Sequence, residues 1–241
     1  MGTYDTVSVE TLTGYLPWAN KSYLAGYQTE RNISFQYRAT GAFVEATDGT
    51  LYKSSDWAAS GKTANSVVVI TNIRNFRISL SEVSLPIHSE STTYGTLASY
   101  GLTPVSQQNM SSYFGGKEDT RKLINFNSAK GTNTTSYAAP YCHAQYFIYG
   151  NEEVYLPSAG QLLLMYNNRT IINSCLAACG GTSLRIDNYN SDYWSSSYST
   201  MNAASSDHMI MVYVGNGAST YGGYVSYIHG SHSVRPVSDY E

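Results

Sequence analysis

Three histidines and an aspartate near the end of the chain, Asp207, His208, His229 and His232, have the side chains best suited to chemistry. Imidazole and carboxylate groups bind metal ions and exchange protons near neutral pH. His229 and His232 form an H-x-x-H spacing across a Gly turn, however, and therefore lack the helix-face geometry of the HExxH zinc motif. We expect no metal ion and interpret the histidines as surface or contact residues.

The three cysteines, Cys142, Cys175 and Cys179, are the other candidates for redox or metal chemistry. Cys175 and Cys179 lie four residues apart in a segment with helical periodicity. Their Cβ atoms would point the same way along the helix, which disfavours a disulfide bond. No histidine or carboxylate flanks them at ligand spacing. We interpret all three as buried free thiols and expect neither a cofactor nor thiolate catalysis.

The sequence also lacks the usual catalytic and calcium-binding signatures. It has no Gly-x-Ser-x-Gly nucleophile elbow and no carboxylate pair of the glycosidase type. The Gly-rich stretch 215–223 contains no lysine and precedes no helix, so it is not a phosphate-binding loop. Calcium requires several carboxylate oxygens, whereas Asp187, Asp192, Asp207 and Asp239 are widely spread. We expect a protein that is not an enzyme and that binds its ligand without calcium.

Composition indicates a folded, weakly charged protein. Only 13% of the 241 residues are charged, whereas 13% are aromatic and 23 are Tyr. Disordered chains are poor in aromatic residues. The net charge of −3 gives no support to nucleic-acid binding.

No apolar run reaches the ~18 residues that span a bilayer, so we expect no direct membrane insertion. The first residues lack the basic and apolar parts of a secretory signal, so an exported protein would need a signal outside this sequence.

The periodicity of apolar residues predicts strands, then helices, then strands, the order typical of an α+β domain. Strands are predicted at 65–71, 75–80, 208–214, 223–229 and 233–237, and helices at 117–127, 136–147, 156–168 and 169–179. The strand at 65–71 is apolar on both faces and is therefore expected at the centre of a sheet. Pro157 and Ser158 supply the start of the third helix, and the Gly180–Gly181 pair ends the fourth.

Several stretches of the second half resemble, in the same order, the motifs of a large bacterial family with the C-type lectin fold. They are GKEDTRKLI, AAPYCHA, VYLPSAGQLLLMYNN (154–168), DYWSSSY (192–198) and SVRPV (233–237). The resemblance covers residues 45 to 237, and Tyr155 departs from it by standing where Trp is common. It implies an α+β fold of the C-type-lectin-like type, formylglycine-generating-enzyme subtype, with two main helices packed on small antiparallel sheets. The residues then expected in the core are Leu162, Leu163, Met165 and Trp194.

The family includes the variable proteins of diversity-generating retroelements, which are receptor-binding proteins of bacteria and phages and adhesins of pili or cell surfaces. In these proteins, adenine-specific mutagenesis rewrites a C-terminal segment on the lectin scaffold. The resemblance therefore implies a rigid scaffold that displays a changeable binding face at the cell surface, on a pilus tip or on a phage virion. The partner would be a protein or glycan ligand on a target cell surface.

The composition of residues 187 to 240 fits such a face. This stretch contains no Lys, Glu, Gln, Leu, Phe or Cys, but eight Tyr and twelve Ser. Mutagenesis of an AAC codon produces NNC codons, which can encode Tyr, Ser, Asn and His but never Lys, Glu, Gln, Met or Trp. Antibody loops favour similar residues, because Tyr offers a large contact area at small entropic cost. By the codon argument, Trp194, Met201, Met209 and Met211 belong to the scaffold.

We predict that an exposed ligand-binding set converges from the loop at 188–193, the stretch 198–208 and the hairpin 216–232. Its members are Asn188, Tyr189, Asn190, Asp192, Tyr198, Ser199, Asn202, Ser205, Asp207, His208, Asn216, Ser219, Tyr221, Tyr224, Ser226, Tyr227, His229, Ser231 and His232. In the strand 208–214, Met209, Met211 and Tyr213 should share one face.

The chain is divided into a β-rich N-terminal segment, residues 1–42, and a ligand-binding domain, residues 43–241, with its variable region at about 187–233. The first segment lies outside the resemblance, and we expect it to serve docking or oligomerisation with a pilus or tail-fibre partner.

Two alternatives for the whole protein stay open. One is a lectin-like surface or structural protein of fixed specificity, and the other is a lectin-fold enzyme of the formylglycine-generating type.

Overall fold

The computed structural model describes residues 40–93, 95–106, 108–150, 152–185, 192–199, 206–213 and 223–240, together with strand residues 5–6 and 36–37. For residues 5–6, 36–37 and 223–225 the description covers the backbone alone. The chain divides into two compact units, Met1–Thr40 and Gly41–Glu241. In the first unit, strands β1 (Asp5–Thr6) and β2 (Gln36–Tyr37) pair antiparallel. The second unit carries the candidate site.

The second unit is an α+β domain, as predicted, and its described part contains two five-stranded sheets. The strands are β3 (Gly41–Ala46), β4 (Leu51–Tyr52), β5 (Ala64–Ile70), β6 (Phe76–Ile78), β7 (Val83–Leu85), β8 (Asp192–Ser199), β9 (His208–Tyr213), β10 (Gly223–Tyr227), β11 (His232–Val234) and β12 (Val237–Asp239). The helices are α1 (Ser54–Ser60), α2 (Thr96–Ser99), α3 (Gly116–Ala129), α4 (Ala138–His143) and α5 (Ala159–Ala178), with a 3₁₀ turn at Met110–Ser112.

The first sheet has the strand order β12-β6-β5-β3-β4. Strand β5 lies in the middle, as its apolar pattern predicts. Val67 and Val69 belong to the large core that also contains Leu162 of α5, whereas Val68 and Ile70 pack in a smaller cluster on the other face. Both faces of β5 are therefore covered.

The second sheet has the order β10-β9-β8-β11-β7, and it is mixed because β8 and β11 run parallel. Strand β9 lies between two cores. Ile210 and Val212 belong to the large core of the first sheet, whereas Met209 and Met211 pack in a second core around Trp194. The predicted alternation is confirmed for these four residues, and both methionines are buried.

The helices predicted at 156–168 and 169–179 are one continuous helix, α5, which corrects the predicted break. Asn168 keeps its side chain on the helix by donating from Nδ2 to the Leu164 carbonyl (2.8 Å). The start is as predicted. Ser158 Oγ accepts from the Gln161 N–H (3.3 Å), and the Gln161 side chain accepts from the Ser158 N–H (3.0 Å), which forms a capping box. The buried α5 residues include Leu162, Leu163 and Met165, as predicted.

The strand predicted at 233–237 is two strands in different sheets, which is a second correction. Strand β11 pairs with β7 and β8, whereas β12 pairs with β6. Arg235 lies at the crossing and is fully buried. Its Nη2 donates to Glu82 Oε2 (2.5 Å) and to the Thr182 carbonyl (2.9 Å), and its Nη1 donates to the Ser79 carbonyl (3.0 Å). The chain therefore passes from the second sheet to the first at Arg235, whose buried guanidinium requires these hydrogen-bond acceptors.

The other two predicted helices differ in length from the sequence pattern. Helix α4 covers only the first part of the predicted 136–147 segment, with Pro140 in its first turn as expected. Helix α3 includes the predicted 117–127 and continues to Ala129. Its Asp119 is almost completely buried and accepts a hydrogen bond from the Tyr113 hydroxyl (2.7 Å).

We expect Asp119 to make the domain less stable as the pH rises from 4 to 7. Burial raises the pKa of this carboxyl from 3.8 to about 6, against the opposing effects of Tyr113 and Lys122. The folded state therefore holds a proton that the unfolded state has released, and the stabilisation is full below pH 4 and lost as the pH rises through 6. Asp119→Asn keeps an acceptor for Tyr113. Between pH 4 and 7 its unfolding free energy should rise relative to the unsubstituted protein by about 2 to 3 kcal/mol. Urea unfolding at both pH values measures this difference, and parallel stability profiles of the two proteins would contradict the expectation.

Candidate functional site

Residues from four of the five motifs behind the family resemblance contact one another in the interior, at a place that we call the motif joint. Ser196 N–H donates to the Pro157 carbonyl (2.8 Å), and Ser197 Oγ accepts from the Ala159 N–H (3.0 Å). Ser197 thereby satisfies one of the free N–H groups at the start of α5. Because Ser195, Ser196 and Ser197 are all fully buried, the serines of β8 are structural.

Two of the remaining three motifs, GKEDTRKLI and SVRPV, close the same joint. Thr120 Oγ1 accepts from the Leu156 N–H (3.0 Å), and a Cβ on Gly116 would lie only 2.9 Å from the Tyr155 ring. Tyr155 also exchanges both backbone hydrogen bonds with Val237 (2.8 and 3.0 Å). Packing determines the residue types at these positions, so the motif cluster is scaffold.

Trp194 belongs to the scaffold as well. Its side chain is fully buried, as predicted, and its Nε1–H donates to the Leu85 carbonyl (3.0 Å). The indole makes an edge contact with the imidazole of His232, with ring centroids 4.6 Å apart. This contact connects the second core to one of the predicted binding residues.

Four of the predicted binding residues are buried, so the prediction of their exposure is wrong. Tyr198, Ser199, Asp207 and His208 are all at most 5% exposed. Strand alternation places side chains on two faces, but here elements packed on both sides cover both faces. These residues hold the structure together and do not face solvent.

Asp207 shows the structural role most clearly. Its Oδ1 accepts from the Gly95 N–H (2.8 Å) and the Tyr198 hydroxyl (3.0 Å). Its Oδ2 accepts from the Leu97 N–H (2.8 Å) and the Thr92 hydroxyl (3.0 Å). One buried carboxylate thus ties the segment before and within α2 to the start of β9, and its oxygens are fully engaged.

Six other predicted residues lie together around one turn at the end of β10, which we call the 226–232 turn (residues 226 to 232). Tyr227 is 50% exposed, His229 and Ser231 are exposed, and Ser226, His232 and nearby Asp192 are partly buried. The Gly230 N–H closes the turn by donating to the Tyr227 carbonyl (3.0 Å). The described part of the predicted face is therefore a compact aromatic and hydroxyl-rich surface.

The Tyr227 ring lies between two imidazoles. Its centroid is 4.6 Å from that of His208 and 5.6 Å from that of His229. His208 fixes the buried end of this stack, because its Nδ1 lies 3.0 Å from the Ser206 carbonyl and must donate to it. A tyrosine held in this way loses little rotamer freedom on binding, which favours an anchor role.

The electrostatics of the turn depend on His232 and Asp192. Burial lowers the pKa of His232, and the nearby Asp192 opposes that shift. Burial raises the pKa of Asp192, and His232 opposes that shift in turn. His232 Nε2 also lies 3.3 Å from Ser226 Oγ. The pair therefore sits in a partly desolvated pocket beside Trp194.

Sequence reasoning missed the segment 87–93, which packs against the turn. Ser91 Oγ lies 2.8 Å from His229 Nδ1, and the N–H groups of Ile87 and His88 both donate to the Ile228 carbonyl (2.9 Å each). This Ser- and Thr-rich segment looks like an ordinary loop, and no local signal indicates its contact with a turn more than a hundred residues later.

The remaining predicted binding residues lie outside the described part of the chain. They are Asn188, Tyr189, Asn190, Asn202, Ser205, Asn216, Ser219 and Tyr221, together with the side chain of Tyr224. Met201 of the predicted scaffold lies there too. The predictions for these residues stay predictions.

The cysteines have the environment of structural thiols. Cys142 and Cys175 are fully buried and Cys179 is half-buried, and all three are free. Burial raises the pKa of Cys142 well above its ordinary value and that of Cys175 to about 11. Such thiols are poor nucleophiles near neutral pH.

Neither a metal-binding cluster nor a membrane-spanning helix is found in the described residues. No three His, Cys, Asp or Glu side chains there converge in a way that could hold a metal ion. Among the same residues, every helix is too short or too polar to cross a bilayer.

Comparisons with protein-family models, curated proteins and solved structures find no match to this chain.

Proposed function

We propose that the chain is a ligand-binding or adhesion protein, in which a C-type-lectin-like scaffold displays a Tyr-, Ser-, Asn- and His-rich face. The 226–232 turn is the described part of this face. Its partner is a protein or glycan on a target cell surface, and binding needs no calcium. The place of action is the cell surface, a pilus tip or a phage virion, where the N-terminal unit would dock.

One observation carries the proposal: the residues of the motif joint are buried, whereas three of the candidate binding residues are exposed together at one turn. The motif joint at Leu156, Ala159, Ser196 and Val237 lies in the interior, whereas Tyr227, His229 and Ser231 are exposed at the edge of the second sheet. A scaffold with changeable surface residues requires this division. It agrees with the C-type-lectin-like assignment and with diversification of the tail.

The composition of the face favours binding over catalysis. Tyrosine and serine offer contact area and adaptable hydrogen bonds, as they do in antibody loops. An oxidase of the formylglycine-generating type would require a reactive thiol, whereas burial raises the pKa of Cys142, Cys175 and Cys179. A surface protein of fixed specificity would have the same face without diversification.

The gene itself discriminates between these two binding proteins. A diversified protein requires a nearby reverse transcriptase gene and a near-copy of the 3′ end that differs at adenines. If sequencing of the locus finds neither, the fixed-specificity alternative stands.

We expect Tyr227→Ala to weaken ligand binding about 30-fold, because an aromatic anchor at the centre of an interface contributes about 2 kcal/mol. A glycan array and a panel of intact bacterial cells would first identify a ligand for the unsubstituted protein, and titration would then measure affinity.

Tyr146→Ala is the matched control. Tyr146 is 82% exposed and lies in the loop after α4, outside the proposed face. Its removal should leave affinity unchanged. Equal losses in the two variants, or full affinity in Tyr227→Ala, would contradict the placement of the face.

A further inference from the structure

Four of the five histidines of the chain lie in or against the 226–232 turn. His229 and His232 belong to it, His208 packs on its Tyr227, and His88 holds it through a backbone hydrogen bond to the Ile228 carbonyl. The fifth, His143, is at the end of α4 beside Glu153 (3.4 Å). Histidine is the residue whose charge changes near physiological pH.

Ser226 and Tyr227 pair with β9 and His232 pairs with β7, whereas the residues between them are attached to the domain by few described interactions. Ile228 is fully buried in the second core, and its carbonyl accepts the two N–H groups of Ile87 and His88. On the outside, Ser91 contacts His229, and within the turn Ser226 contacts His232. Three of these contacts therefore involve the backbone or side chain of a histidine.

The imidazole of His88 is buried beside the turn. It is only 5% exposed and packs against the rings of Phe126 (5.0 Å) and Tyr137 (6.0 Å). Its Nδ1 lies 3.2 Å from both the N–H and the carbonyl of Glu90, whereas its Nε2 is buried and has no hydrogen-bond partner among the described residues. Opening of the turn region would give this nitrogen access to water.

Few charges face these imidazoles in the described part of the chain. Asp192 of β8 is the carboxylate beside His232. The carboxylate next to His208 in the sequence, Asp207, is saturated by its four hydrogen bonds. Glu90 contacts His88 through its backbone. The ionisable hydroxyls nearby are Tyr137, against His88, and Tyr227, between His208 and His229.

We propose that the 226–232 turn is a pH-sensitive element of the binding face, held closed while the His232 imidazole is neutral and released when this imidazole takes up a proton as the pH falls from 7 to 5. Release would move Tyr227, His229 and Ser231, so the face would lose its shape in acid. The regulatory meaning rests on the proposed function, because these are predicted binding residues. The conformational change itself requires no ligand.

The environment of His232 determines whether acid stabilises or destabilises the closed turn. Burial lowers its pKa in the closed turn, so the open state binds protons more readily. Its contribution to the stability of the closed turn is present above about pH 6.5 and is lost as the pH falls below that value. Asp192 favours the protonated imidazole and so partly offsets this effect, and its own raised pKa weakens the offset in acid.

Backbone amide exchange tests the proposal on the ligand-free protein. The amides of Ile87 and His88 report on the turn, because both donate to Ile228. From pH 7 to pH 5, their protection factors, corrected for intrinsic exchange, should fall about tenfold and recover on return to pH 7. The amides of β5 should keep their protection, which distinguishes local release from acid unfolding.

Three variants sharpen the test. His232→Asn should abolish most of the change, and Asp192→Asn should enlarge the loss of protection at pH 5, because the carboxylate that partly offsets the effect of burial on His232 is gone. His143→Gln, which lies elsewhere, should behave like the unsubstituted protein. If His232→Asn does not fold, as judged by circular dichroism at pH 7, Asp192→Asn alone still tests the direction.

Constant protection of Ile87 and His88 across this pH range would overturn the proposal, as would equal loss of protection in β5. A loss of protection at pH 5 that is no larger in Asp192→Asn than in the unsubstituted protein would also overturn it. None of these outcomes bears on whether Tyr227 binds ligand at pH 7, so the proposed function and its regulation can fail separately.

Discussion

Arg235→Met is expected to destabilise the domain by about 3 to 5 kcal/mol, the usual effect of removing one partner of a buried ion pair. Arg235 is fully buried and Glu82 is nearly so. Methionine fills much of the same volume but leaves the carbonyls of Ser79 and Thr182 without their donor. It also leaves the Glu82 carboxylate with the Tyr193 hydroxyl (2.6 Å) and Arg185 (3.1 Å) alone.

Arg185→Met is the matched control, because Arg185 bonds to the same carboxylate from a half-exposed position (46% of the side chain). Water can replace it there, so the loss should stay below about 1 kcal/mol. Urea unfolding at pH 7 measures both variants. Similar losses would mean that Arg235 contributes no more than a surface ion pair, and the break between β11 and β12 would then require another physical cause.

Asp207→Ala should cost about 4 kcal/mol of unfolding free energy. The substitution removes the acceptor of four donors: the Leu97 N–H and the Tyr198 hydroxyl, which are buried, and the Gly95 N–H and the Thr92 hydroxyl, which are partly buried. Each unsatisfied buried donor costs about 1 to 3 kcal/mol, reduced where the structure relaxes. The effect should appear without ligand, which distinguishes a structural carboxylate from a ligand contact.

Asp48→Ala provides the comparison for Asp207. Asp48 accepts from the Thr50 N–H (3.0 Å) and pairs with Lys62 (3.0 Å), but 46% of its side chain is exposed. Its loss should leave the unfolding free energy nearly unchanged, because water can replace both partners of an exposed carboxylate. Thermal and urea unfolding of the two variants give the comparison. A small effect of Asp207→Ala would return this residue to the set of candidate ligand contacts.

Local patterns in the sequence were sufficient for most of the elements. The apolar run of β5, the alternation of β9, the Pro–Ser start of α5 and its Gly–Gly end all predicted what the structure contains. These signals act over a few residues, through strand and helix periodicity and through capping. The exposure of Tyr227, His229 and Ser231 also followed from their residue types and the turn around Gly230.

Tertiary structure alone decided three things. The length of α5 depended on packing of Ile172, Cys175 and Leu176 in the large core, which outweighs the low helix propensity of Asn167 and Asn168. The split of 233–237 depended on Glu82, which lies 153 residues before its partner Arg235. No local pattern contains such a partner.

The third decision was the boundary between scaffold and face. Alternation indicates which side chains share a side of a strand but not whether another element covers that side, so Asp207 and His208 looked exposed and are buried. The same limit hid the segment around His88 and Ser91, whose contact with the turn exists only after the second sheet has formed. Residue types alone determined the character of the surface, and packing across the chain determined which of those residues reach it.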